Sequence, residues 1–206
     1  MFVLIAVTAA SAVAAPPEFT GPFPNPYIGA SKTTKIETVG KQTVTCTADK
    51  VKGQITGPVT AEVQIDLTGC TTSVVAGVQC NSPNGLPGEI QTEVLFGTLG
   101  YTKLEPKEVG LDLANPTGGP MAVFFCGAAV TGKLYGSVIG KVTPINAKPG
   151  KGLHLSFAEK AGKQHFMNLL GGPPDFPMMT LGGPLEPAGI ASGEALKLAF
   201  PTTLIA

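Results

Sequence analysis

Apolar and polar residues alternate along several stretches of this chain, and the alternation predicts β-strands. In residues 59 to 67 every odd position is apolar and every even position is polar. Successive side chains of a strand point to opposite faces, so such a run indicates a strand with one buried and one solvated face. Residues 153 to 157 and 196 to 200 also carry leucine or phenylalanine at alternate positions. We expect these apolar side chains to point into a core.

Shorter apolar stretches fill most of the remaining chain, and clusters of glycine, proline and asparagine separate them. Examples of such clusters are "NSPNGLPG", "NPTGGP" and "NAKPGKG". Many short strands joined by turns of this kind are typical of sandwiches and barrels. The sequence therefore predicts an all-β fold, an antiparallel β-sandwich or partly closed β-barrel of about 9–12 short strands. Only residues 160 to 172 resemble a short helix.

Two segments of different composition precede the β-rich region. Residues 1–14, "MFVLIAVTAASAVA", are apolar and small and end in an Ala-x-Ala pattern, which predicts a secretory signal peptide cleaved after Ala14. No basic residue precedes this run, and it is shorter than the roughly 20 residues of a membrane-spanning helix. Residues 15–32 contain five prolines and no periodicity, which predicts an extended arm.

Residues 33–206 are predicted to form a single β-domain. Within this domain, residues 171–193 are dense in proline and glycine. They predict a long, irregular covering loop around one short strand at residues 177 to 181.

The charge composition narrows the classes of partner. Charged residues make up 14% of the 206 residues, and 14 basic and 14 acidic side chains cancel to a formal net charge of zero. Every basic residue except histidine is lysine. Arginine is the usual residue for bidentate phosphate contacts, so its absence disfavours nucleic acid as a partner. Low charge with zero net charge favours self-association or deposition on a cell-envelope polymer.

The chain contains four cysteines, Cys46, Cys70, Cys80 and Cys126. An even number in an exported chain predicts two disulfides and a secreted or cell-surface location. Three pairings are possible. The short loop between Cys70 and Cys80 favours a hairpin disulfide there, with Cys46–Cys126 as a tie between distant strands. The spacing is too wide for a C-x-x-C zinc site.

The stretch "YGSVIGKVTP", residues 135 to 144, superficially resembles a phosphate-binding loop. The Walker motif needs four residues between its glycines, whereas three separate Gly136 from Gly140, and Val142 replaces the magnesium-binding hydroxyl. Strand-forming residues surround both glycines, and Pro144 opposes a helical continuation. We therefore interpret the glycines as points where a strand bends or packs closely against an aromatic ring.

Candidate catalytic groups are scattered along the sequence. His154 and His165 lack the H-E-x-x-H spacing of a zinc site, and no serine is framed as G-x-S-x-G. Glu89 and Glu93 would lie about 13 Å apart on one strand face, beyond the carboxyl separation of glycosidases. We therefore expect no enzyme activity, no cofactor and no metal, and keep a secreted hydrolase as a remote alternative.

The order of several segments resembles a known group of proteins. These segments are "TCTADKVKGQITGP", "KEVGLDL", "GSVIGKVTPIN" and "LSFAEKAGKQ", within a region from about Lys35 to Gln164. In this region the chain resembles uncharacterised secreted four-cysteine β-rich proteins of soil actinobacteria. The resemblance implies export and a four-cysteine framework. It implies no activity, because none is assigned to that group.

Two functional hypotheses follow from the sequence. The first is an exported, non-enzymatic β-domain that serves as a structural or interaction module at the cell surface or outside the cell. The alternative is a β-barrel whose interior binds a small apolar ligand. Six apolar side chains are candidates to line such a cavity, although packing in an ordinary core also accounts for them. They are Phe124, Phe125, Met167, Phe176, Met178 and Met179.

Overall fold

A computed structural model describes residues 15 to 206 as strands joined by turns and irregular loops. The predicted signal peptide lies outside these residues. Within them there is no helix long and apolar enough to cross a membrane. The strands are β1 (Glu18–Thr20), β2 (Asn25–Ser31), β3 (Thr34–Thr38), β4 (Thr43–Cys46), β5 (Ala48–Gly57), β6 (Thr60–Thr68), β7 (Thr71–Thr72), β8 (Cys80–Asn81), β9 (Ile90–Gln91), β10 (Leu95–Leu104), β11 (Lys107–Ala114), β12 (Ala122–Cys126), β13 (Val130–Tyr135), β14 (Ser137–Thr143), β15 (Gly150–Phe157), β16 (Glu159–Lys160), β17 (Lys163–Gln164), β18 (Met178–Leu181) and β19 (Glu186–Ile205).

Eight strands close into an antiparallel barrel. Their order around the barrel is β10, β11, β14, β15, β19, β2, β5 and β6, and β6 pairs with β10 to complete the ring. The predicted all-β, antiparallel fold class is therefore confirmed, and the barrel is closed. The described residues form 19 strands where 9–12 were predicted, and six of them, β1, β7, β8, β9, β16 and β17, have only two or three residues each.

The outer strands pair in a second circuit beside the barrel. This circuit runs through β3, β4, β7, β8, β12, β13 and β18 to the first residues of β19, which pair with β3. The contact between β7 and β8 is a bridge between Thr71 and Gln79. Thr92 ties the two circuits together. Its hydroxyl accepts a hydrogen bond from the Ile65 amide of β6 and its amide donates to the Ile65 carbonyl, while a bridge joins Thr92 to Ala122 of β12.

Strand β19 belongs to both circuits. Over its 20 residues it pairs successively with β18, β3, β15, β2 and β1. Such a strand needs side chains that suit two different interiors, which explains why its apolar positions do not follow one uninterrupted alternation. The barrel and the outer circuit are therefore held on one continuous backbone.

The predicted inward side chains are largely where the alternation placed them. Leu153, Leu155 and Phe157 are buried, and so is Leu196. Phe200 differs, since it is 47% exposed. The register between β15 and β19 slips near this point, and the slip turns the Phe200 side chain outward.

Residues 15–32 are extended as predicted, but they are not an arm. Strand β2 lies in the barrel wall between β5 and β19, and the side chains of Phe19 and Tyr27 are buried. The proline-rich composition led to the wrong prediction. Pro24 immediately precedes β2 and Pro26 lies within it, yet the strand is otherwise regular. The segment is therefore part of the domain.

The irregular segment is shorter than predicted. The expected short strand is confirmed as β18, but the covering loop ends before β19 begins at Glu186. The suggested helix in residues 160 to 172 is wrong, because a hairpin of β16 and β17 opens that stretch. Leu169 then covers the outer side of the barrel, next to Gly100 and Gly110.

The predicted disulfide pairing is wrong. The structure pairs Cys46 with Cys70 and Cys80 with Cys126, with Cα–Cα distances of 3.9 and 4.0 Å, in place of Cys70–Cys80 and Cys46–Cys126. The cause is strand order. The four cysteines occupy one row across β4, the start of β7, β8 and β12, so that each lies opposite the next. Cys70 and Cys80 do face each other across the expected hairpin, but each is bonded to its other neighbour.

The glycines of "YGSVIGKVTP" lie in the predicted strand context. Gly136, with φ of +82°, separates β13 from β14, and a Cβ there would collide with the carbonyl oxygen of Phe176. Gly140 lies within β14, where a Cβ would come 2.7 Å from the Phe157 ring. Both glycines therefore allow close packing, which agrees with their interpretation from the sequence.

The pairing can be tested by removing cysteines in pairs. Replacing Cys46 and Cys70 with serine should leave one intact disulfide and no free thiol. Replacing Cys70 and Cys80 should leave two free thiols, on Cys46 and Cys126. Alkylation of the unfolded, unreduced protein followed by mass measurement counts these thiols. The first variant should also lose about 3–4 kcal/mol of unfolding free energy in urea, because closing the loop restricts the unfolded chain. No free thiol in the second variant would contradict the structure.

Close packing at glycine gives a second test. A Cβ at Gly132 would collide with the ring of Phe124, which is fully buried and has no room to move. Gly132→Ala should therefore lower the unfolding free energy by about 1–3 kcal/mol. Gly152→Ala is the matched control, since a Cβ there meets nothing within 4 Å, and it should change stability by less than about 0.5 kcal/mol. Equal stability of the two variants in urea titrations would disprove the packing argument.

Candidate functional site

Two buried carboxyl groups lie where β2 turns into β3 and β19 crosses from one circuit to the other. The register brings Asp49 of β5 opposite Ser31 of β2, and places Glu194 of β19 beside Ser31 on the other side. Asp49 is 2% exposed and Glu194 is 1% exposed. Together with Thr34, they form a group of three buried polar side chains at this junction.

Asp49 is fully engaged in hydrogen bonds. Its carboxylate accepts bonds from the Ser31 amide at 2.8 Å, from the Ser31 hydroxyl, and from the Thr34 hydroxyl at 2.6 Å. Three donors compensate the carboxylate for the hydrogen bonds to water that it loses on burial. Asp49 therefore holds the turn between β2 and β3.

Glu194 is much less well satisfied. One of its oxygens accepts a hydrogen bond from the Ser192 hydroxyl, whereas Oε2 is buried with no partner among the described residues. Burial is the main reason that the pKa of Glu194 is raised to about 7, and the negative charge of Asp49 makes a smaller contribution to that rise. The side chain therefore holds a proton in mildly acidic solution and is poised to lose it near neutrality.

Glu194 also lines a small void between the barrel and the outer circuit. The void measures about 40 Å³, and its walls are almost wholly apolar. That volume has room for roughly two to four water molecules. A second internal void, inside the barrel beside Tyr27, measures about 10 Å³. Neither void has the space for an organic substrate.

The six side chains predicted to line a ligand cavity do not line a common one. Phe124 and Met179 are fully buried in the outer circuit, whereas Phe125 and Met167 are about 40% exposed. Phe176 and Met178 are partly buried. None of the six lines either internal void.

The other candidate residues lie at the surface. His154 is exposed on β15, as the alternation predicted, and His165 is exposed after β17. Glu89 and Glu93 flank the two-residue strand β9. They therefore do not lie on one strand face, although the sequence predicted that they would. Both line an open surface groove between β6, β9 and β12, with a volume of about 560 Å³.

The two junction carboxyls were not predicted from the sequence, although the sequence contains a signal for them. Glu194 has the same parity as Leu196 and Leu198, so the alternation that buries the leucines also buries the glutamate. Asp49 is likewise in phase with Val51. A carboxyl at an inward position of a predicted strand was the available indication.

Comparison with known proteins adds no family assignment. No family model matches the chain, and no curated protein or solved structure matches it.

The raised pKa of Glu194 predicts a pH dependence of stability. An unfolded glutamate titrates near 4.3, so between about pH 4.5 and 7 the folded protein keeps a proton that the unfolded chain releases. Stability should fall by about 1.4 kcal/mol per pH unit across this window from this group alone. Glu194→Gln should remove that slope and be the more stable protein at pH 8.

Urea titrations of both proteins from pH 4 to pH 8 measure the difference. Subtracting the two curves isolates Glu194, because other shifted groups, including Asp112, remain in both proteins. Ser192→Ala is a useful second variant, since losing the hydroxyl that bonds to Glu194 should raise its pKa further and extend the window upward. Parallel curves for the native protein and Glu194→Gln would rule out a buried titrating glutamate.

Proposed function

We propose that this protein is an exported, non-enzymatic β-domain that acts through its outer surface as a structural or interaction module. The filled interior is the observation that carries the proposal. The voids inside the barrel and at the junction measure about 10 and 40 Å³, whereas small-molecule sites commonly measure about 300–1,000 Å³. An apolar ligand would have to displace buried side chains.

Export is supported by the cysteine chemistry. All four cysteines are paired, at adjacent positions on neighbouring strands, and all four are buried. Disulfides of this kind persist in oxidising compartments and are rare in reducing ones. The apolar segment 1–14 with its Ala-x-Ala ending, and the resemblance to secreted four-cysteine proteins, agree with the same location.

The closed barrel restricts how such a module can make contacts. Barrels remove the free strand edges through which sheets otherwise add strands from a partner. Contacts with a partner would then be made by side chains on the faces of the strands. The proposal therefore assigns the function to exposed patches of the barrel and the outer circuit.

Export and ligand content can be measured together. The full chain, produced with residues 1–14 in a secreting host, should appear in the medium beginning at Ala15, with a mass lower by four hydrogens than that of the reduced chain. The matched control lacks residues 1–14 and should stay in the cytoplasm. Native mass spectrometry of the secreted protein should show no bound small molecule. Retention of the full chain in the cytoplasm, or a stoichiometric co-purifying ligand, would refute the proposal.

A further inference from the structure

One face of the barrel carries lysines with few acidic partners. Strands β5, β2 and β19 lie side by side, and the register aligns Lys52, Ile28 and Lys197 in one row across them. Lys50 lies two positions along β5 from Lys52, in the neighbouring row. All four side chains are exposed, and Ile28 is 64% exposed. We call these four residues the lysine face.

The charges of the lysine face are only partly neutralised. Lys52 lies 3.5 Å from Asp66 at the border with β6. Lys50 and Lys197 make no ion pair within 4 Å to any residue between 15 and 206. In the row of Lys50, the neighbouring residues Ala30 and Ala195 are small and uncharged. The face is therefore a cationic part of the outer barrel wall.

A surface of opposite character lies beyond β6. The groove between β6, β9 and β12 has Glu89 and Glu93 on its wall, and no lysine lines it. We call it the acidic groove. Two exposed apolar residues are close to these glutamates in the sequence. Leu86 is 73% exposed and Val94 is 50% exposed. The acidic groove is therefore concave, anionic and bordered by apolar groups.

The two surfaces are complementary in charge. Each also has an exposed apolar side chain near its charges. The chain has a formal net charge of zero, so copies of it do not repel one another as a whole. Charge complementarity of this kind guides partners into a defined orientation.

We infer that copies of this protein associate head to tail, with the lysine face of one copy seated in the acidic groove of the next. This inference rests on the proposed function and names the partner of the interaction module as a second copy of the chain. The two surfaces are different parts of one molecule, although they border one another where Lys52 lies opposite Gln64, so the contact between the two copies is heterologous. A contact of this heterologous type continues into longer assemblies unless its rotation closes a ring.

Two neutralised variants separate the two surfaces. Lys50→Gln with Lys197→Gln removes the unpaired charges of the lysine face, and Glu89→Gln with Glu93→Gln removes those of the acidic groove. The unaltered mature protein at about 100 μM in low salt should have at least about twice the monomer mass by sedimentation equilibrium. Each variant alone should be monomeric. An equal mixture should form dimers and nothing larger, because only one intact surface of each kind is present.

Controls and salt define the remaining outcomes. Lys160→Gln and Glu18→Gln change exposed charges elsewhere and should assemble like the unaltered protein. Raising the salt to about 0.5 M should return the unaltered protein to monomers, because ions screen exposed charges. A monomer at low salt, or a mixture of variants that stays monomeric, would overturn the inference. The inference would also be overturned if the protein stayed monomeric while its lysine face bound an added polyanion such as polyglutamate. These outcomes leave the export test unaffected, so the inference can fail while the proposed function stands.

Discussion

The whole architecture depends on the hydrogen bonding of strand β19. This single strand of 20 residues supplies one wall of the barrel and also pairs with β3 and β18 of the outer circuit. Its backbone groups are satisfied by five different neighbours in succession, so the registers of those neighbours are not independent. A slip of one residue would reverse inward and outward side chains in both circuits at once. The pairing of β19 therefore specifies the fold as a unit.

The polar groups at the crossing point follow from this sharing. Where β19 leaves the barrel, its neighbours β2 and β3 must turn, and the turn brings amides and hydroxyls into a region that water does not reach. Asp49 satisfies these donors, and buried polar groups require such partners. Glu194 lies beside it with one oxygen unpaired, at the edge of an apolar void. A buried carboxyl with an unpaired oxygen thus lies where one strand joins the barrel to the outer circuit.

The sequence predicted the fold class well because alternation is a local property. The inward residues of β15 and the strand at residues 177 to 181 needed no tertiary information. The failures concern partners that are distant in sequence. Strand β2 was not recognised because its composition resembles a linker, and its wall position is fixed only by β5 and β19. The disulfide pairing failed for the same reason, since it depends on the order of strands. The junction carboxyls were visible in the alternation but required attention to polar residues at inward positions.

The cysteines pair in the order in which they occur along the chain, the first with the second and the third with the fourth. A polypeptide that enters an oxidising compartment with its N-terminus first presents Cys46 and Cys70 before Cys80 has arrived. Vectorial entry then favours the native bond, because the competing thiol opposite Cys70 is still absent. A complete reduced chain has no such protection, since Cys70 and Cys80 are only ten residues apart and short loops close most readily. The direction of translocation can thus favour formation of the native disulfides over a bond between Cys70 and Cys80.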